Sequence, residues 1–202
     1  MWSEINTGHF TVWSSADDGS ARTLAWQFEQ IRSVVKTMWP WAQVDLTKPM
    51  LIFVVKDEAA MKTMVPEFWE RRGATHPASV WVTGRDRHYM VIRADVRGQD
   101  TDVLNPHTTA YYGYTNLVLE ESFDHELPLW FSRGLSGVLS NTIIHDTKVK
   151  VGPPIPWHLA ALRAERRFHL ARLLKVDRKS PEYLQGGSWR PSTRRPGRSC
   201  TC

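Results

Sequence analysis

Residues Met50 to Val55 read MLIFVV, six apolar side chains in a row between Pro49 and the Lys56-Asp57 pair. A run this short and this rich in β-branched and aromatic residues is read as a buried strand, which needs strands on its edges and helices against it. The flanking sequence offers both. Upstream, residues 9–14 (HFTVWS) alternate as a first strand, and Leu24, Phe28, Ile31, Val35 and Met38 recur at helical spacing from a cap at Ser20 to a stop at Pro40. Downstream, Asp57 is placed to cap a short helix holding Met61, Met64 and Val65, and residues 80–83 and 89–94 read as two strands around Gly84-Arg85-Asp86. The order β-α-β-α-β-β predicts an α/β (α+β) fold, a small mixed sheet with helices packed on it.

Beyond the sheet the pattern turns helical. Asn105-Pro106 is read as a helix start, Asn as the cap and Pro in the first turn, with the helix running to about Phe123. Pro128 opens a second helix to about Asn141, residues 148–151 form a short strand before Gly152-Pro153-Pro154, and Pro156 and residues 168–175 begin further helical segments. Past Tyr183 the chain becomes Arg, Pro, Ser and Gly, so the expected organisation is one domain over 1–184 and a tail over 185–202. A chain of 202 residues, 42% hydrophobic, is long enough for one such domain to bury a core.

Charge narrows the partners. Of the net +5, Arg190, Arg194, Arg195 and Arg198 place +4 in the tail, where there is no acid, and leave about +1 for the domain. The domain carries no basic stripe for phosphate contacts, so no nucleic acid is expected as a partner. Cys200 and Cys202, one residue apart, cannot close a tetrahedral metal site alone, and a bridge between them would be strained. No apolar run approaches the length of a membrane helix, and Met1, Trp2 and Ser3 lead into folded sequence without a signal peptide. Location and oligomeric state stay open.

Residues 110–140, AYYGYTNLVLEESFDHELPLWFSRGLSGVLS, carry the functional signal, together with the opening WSEINTGHFTVWSS and the stretches NTIIHDTKVKVGPPIPWHL and VDRKSPEY. Over residues 2–184 the chain resembles the peptidase-MA-like (gluzincin, HExxH zinc metallopeptidase) superfamily, in particular its bacterial DUF1570-like group. Relatives in that group are often exported. The resemblance implies a zincin-like fold with a former active-site helix beneath the sheet. It also implies a helical C-terminal part cut short, because the family continues past its SPEY-like segment into another helix.

An HExxH peptidase sets two His one helical turn apart, a Glu beside the first as general base, and a third ligand on the following helix, where this family typically reads LPxWLxEGLAE. Carried over residue by residue, Tyr112 stands where the first His is expected, Gly113 at the general base, Asn116 at the second His and Arg133 at the acidic ligand. A phenol, a missing side chain, a carboxamide and a guanidinium are a poor set for zinc, and glycine accepts no proton. The expectation is therefore a metallopeptidase-like domain without zinc, other cofactor or catalytic residues. Arg133 is expected to fill the vacated space and hydrogen-bond Tyr112 and Asn116, and Gly113 to mark a site released from catalytic demand. A cleft beside the sheet edge, where a substrate strand pairs in active relatives, would make a peptide or protein the partner. Three alternatives stay open: a working zinc peptidase with displaced ligands, a truncated product without activity, and ordinary polar residues on packed helices.

Other candidates carry less. His125-Glu126 is the single His-Glu dipeptide and is read as a solvated loop pair; His107 and His145 lie within reach of the cleft but lack a further ligand and a base. Gly134-Leu135-Ser136-Gly137-Val138 nearly copies GxSxG, yet ends in Val and falls within a helix. Trp13, Trp26, Trp81, Trp130 and Trp157 are read as core, Glu120-Glu121 as a solvated helix end, and Arg163, Arg166 and Arg167 as a solvent-facing basic face.

Overall fold

The computed structural model describes residues 2–70, 76–96, 105–145, 148–163, 170–181 and 183. The proposed tail, Arg166, Arg167 and the start of the 168–175 segment lie outside these residues, as does the side chain of Trp157. The fold is α+β, built on a mixed five-stranded sheet. Strands β1 (Ser3–Asn6), β2 (Thr11–Ser14), β3 (Met50–Val55), β4 (Ser79–Thr83) and β5 (His88–Arg93) stand in the order β1-β2-β3-β5-β4. The three inner strands are parallel, and β1 and β4 run antiparallel at the two edges.

The apolar run of β3 is explained by two unequal faces. Met50, Ile52 and Val54 are buried beneath helices α1 (Asp18–Met38) and α3 (Thr108–Glu121), while Val55 joins Met61, Val65, Val80 and Val91 in a smaller cluster under α2 (Glu58–Met64). On the helix-covered face one row crosses the whole sheet: Ile5, Val12, Ile52, Met90 and Trp81 are register partners in turn. Trp81 ends that row on the edge strand, which places its indole against α3.

Several local expectations shift. The first strand is not residues 9–14: Thr7 N–H donates to the Phe10 carbonyl at 2.9 Å, so residues 7–10 turn between β1 and β2, and β1 precedes them. The cap of α1 is Asp17, whose carboxylate accepts from the Ser20 N–H at 2.8 Å; Ser20 lies inside the first turn. Met38, in the last turn of α1, is 45% exposed rather than core. Asp57 caps α2 as expected, accepting from Ala60 N–H at 2.9 Å. Helix α4 (Leu129–Ser140) follows Pro128, and β6 (Ile143–His145) pairs with β7 (Lys148–Lys150) in a small hairpin whose first strand the sequence reading missed. Short helices α5 (Pro156–Arg163) and α6 (Leu170–Leu173) follow, with Arg163 exposed.

The tryptophans divide. Trp81 is core, but Trp13, Trp26 and Trp130 are 40–43% exposed. Trp13 falls out of the core because it alternates with Val12 and faces the less covered side of the sheet beside Phe53.

Candidate functional site

Between Val103 and Leu119 the chain has no charged side chain, and α3 is buried continuously from Ala110 to Leu119. A helix buried on every side has to settle each of its polar groups with a neighbouring element. Its three tyrosines do so in three directions. Tyr111 donates to Gln27 on α1 at 3.2 Å, Tyr114 donates to the Val44 carbonyl at 3.0 Å, and Tyr112 accepts from Arg133 on α4 at 2.9 Å. Burial raises all three phenols; Tyr112 reaches about 12, less than burial alone would give because the Arg133 cation beside it favours the ionised form.

Arg133 is half-buried and held between two rings. A second N–H donates to the Tyr183 hydroxyl at 3.0 Å, and the guanidinium carbon lies 5.9 Å from the Tyr112 centroid and 5.8 Å from that of Tyr183. The expected bond to Asn116 is not the one formed. Asn116 is 4% exposed and donates to Glu120 one helical turn along α3 at 2.9 Å, so the second partner of Arg133 comes from the C-terminal segment instead. That segment is anchored nearby by Arg178, which pairs with Glu126 at 2.8 Å and lies 3.7 Å from Glu120. Among the described residues Arg133 has no carboxylate partner; both of its acceptors are neutral oxygens.

Gly113 meets a packing demand of its own. A Cβ built there would sit 3.0 Å from the Trp81 indole, so the absence of a side chain is what allows the edge strand to close onto α3. The Trp81 and Tyr112 rings lie 6.2 Å apart, and Trp81, Tyr112 and Arg133 form one continuous line from β4 to α4.

The N-terminus of α3 is built differently from the sequence reading. Asn105 does not cap it. Its carbonyl oxygen takes the His107 N–H at 2.7 Å, its amide nitrogen donates to the Thr142 carbonyl, and its backbone N–H donates to Asn141 at 2.9 Å, tying the start of α3 to the end of α4. The first helical residue is Thr108 and the last is Glu121 rather than Phe123. His107 is 9% exposed with an unpartnered Nδ1, and burial pulls it down to about 4; His145 is exposed on β6. Glu121 is not simply solvated: its carboxylate accepts from Thr47 N–H and meets His88 Nε2 at 3.2 Å, tying the end of α3 to the sheet. Ser136 is buried within α4, away from any strand-to-helix turn, and His125 and Glu126 are exposed between the helices.

No family model matches the chain, and no curated protein matches it. The four carried-over positions therefore rest on their own chemistry. They do not fit zinc: Arg133 keeps its charge and would repel a dication, and Tyr112 and Asn116 are engaged as neutral hydrogen-bonding groups. Among the described residues, no three His, Cys, Asp or Glu side chains converge as a metal site. Nor is any helix among them long and apolar enough to cross a membrane. What the arrangement offers chemically is an oriented guanidinium held between two phenol rings.

Proposed function

We propose that this chain is a catalytically silent metallopeptidase-like domain, a pseudo-gluzincin, that serves as a peptide- or protein-binding module. The observation that carries the reading is the 2.9 Å bond from Arg133 to Tyr112. It joins the two helices at the positions where the resemblance puts a metal ligand on each, and a fixed cation there takes over the tie that a bound dication would provide. The Trp81 indole supports it from the other side. It occupies the space above Gly113 into which a general-base side chain would have to project.

The binding half of the proposal is supported by the sheet. Strand β4 closes the sheet on the side nearest α3, with its outer edge unpaired among the described residues, and such an edge takes an added strand through backbone hydrogen bonds. The experiment is metal analysis of the purified protein after incubation with zinc and dialysis, together with hydrolysis of an unstructured protein substrate. The expected result is neither retained zinc nor cleavage. One equivalent of zinc that a chelator removes, with proteolysis lost in step, would overturn the proposal.

A further inference from the structure

The geometry points to Arg133 as a carboxylate anchor: an acidic side chain of an extended peptide lying along β4 pairs with its guanidinium. This rests on the strand-binding reading above and names the ligand class for it. Arginine carries five N–H donors, and two of them are spent here on Tyr112 and Tyr183, both neutral oxygens. Among the described residues this half-buried cation has no counter-charge, an unusual expense in a fold whose neighbouring cation, Arg178, is paired with Glu126. The two phenols fix the plane of the guanidinium and, among the described residues, leave its charge uncompensated, which is the arrangement that receives a planar carboxylate.

Position selects a side chain as the donor of that carboxylate. Side chains of a strand alternate between faces, and those of a strand added to β4 that share the Trp81 side project toward α3. From that side the contacts run from Trp81 to Tyr112 to Arg133. Charge selects a monoanion over a phosphate. Glu120, held by Asn116, stands on the same helix as Tyr112, so among the described residues the site offers one unpaired positive charge beside a negative one.

The test uses fluorescence anisotropy with an N-acetylated, C-amidated octapeptide of alternating valine and threonine carrying one central glutamate, and its glutamine counterpart. The full chain is expected to bind the glutamate peptide about tenfold more tightly, and Arg133→Gln to bring the two peptides level while its circular dichroism stays that of the parent. Arg133→Lys, which keeps the charge and loses the fork, should fall between, and should carry the comparison if the glutamine variant does not fold. Equal binding of both peptides by the parent chain overturns the anchor and leaves the strand-binding reading in place. Binding of neither peptide removes the strand-binding reading, and the anchor with it.

Discussion

Arg133 donates to two phenols and Asn116 turns to its own helix, so among the described residues the hydrogen bond that Arg133 makes to α3 is the one to Tyr112. A hydrogen bond from a charged donor in a partly buried place contributes on the order of 1–2 kcal/mol. Arg133→Met is expected to lower unfolding free energy by about that much in urea. In double-mutant cycles it should couple to Tyr112→Phe by about 1 kcal/mol and to Asn116→Ala by less than about 0.5 kcal/mol. Gly113 makes the opposite kind of case. Alanine gains about 1 kcal/mol of helix propensity, yet its Cβ would press on the Trp81 indole at 3.0 Å, and overpacking costs about 1–3 kcal/mol. Gly113→Ala should therefore come out destabilising by up to about 2 kcal/mol in the same melts, and should turn stabilising once Trp81→Leu has removed the ring. The family resemblance could suggest that Arg133 meets Tyr112, because it sets the two at ligand positions on consecutive helices. It could not show Trp81 over Gly113, since that contact joins the edge strand β4 to α3, two elements far apart in the sequence.

At the scale of elements, the long periodic segments were legible and the short ones were not. The helical repeat from Leu24 to Val35 and the apolar run of β3 each carry enough residues to declare their period, and both stand where the sequence put them. Strands β1 and β6 have four and three residues, too few for alternation to be distinguished from loop, and the strand expected over 9–14 is β2 extended back into the turn that follows β1. Helix starts shifted for a related reason. Asp17 and Ser20, like Asn105 and His107, stand close together near a helix start, and only the backbone decides which side chain meets a free N–H. Asp17→Ala should accordingly depress the melting temperature more than Ser20→Ala does, the reverse of what a Ser20 cap would give. Asp57→Ala, at the cap that was read correctly, should cost about 1 kcal/mol by chemical denaturation. The all-round burial of α3 had a signal that went unused. A charge-free stretch with three tyrosines and Asn in one helix marks a segment that meets neighbouring elements and its own turns rather than water.

Across the whole molecule, α3 is the element that the sheet, α1, α4 and the C-terminal segment all contact, so the groups buried on it set how stability responds to pH. His107 stands at its start with its imidazole pulled down to about 4 by burial, from an ordinary value of 6.5. The folded protein keeps this ring neutral while the unfolded chain protonates below 6.5, so its contribution is complete above pH 6.5 and is lost as the pH falls through 4, a loss of about 3 kcal/mol. His158, also lowered by partial burial, adds to the same acid shoulder. On the alkaline side the sign reverses. Tyr112 is raised to about 12, and Tyr111 and Tyr114 are raised by burial as well, so each holds its proton in the fold after the unfolded chain has lost it. Their contribution is whole below pH 10 and declines as the pH rises through the folded values. Unfolding free energy measured in urea should therefore form a plateau from about pH 6.5 to 10 with a shoulder on each side. His107→Phe should flatten most of the acid shoulder between about pH 4.5 and 6.5, where few carboxylates titrate, and leave the alkaline one unchanged. If the acid shoulder persists in full in that variant, His107 is not buried as a neutral ring, and the packing described for the start of α3 is incorrect.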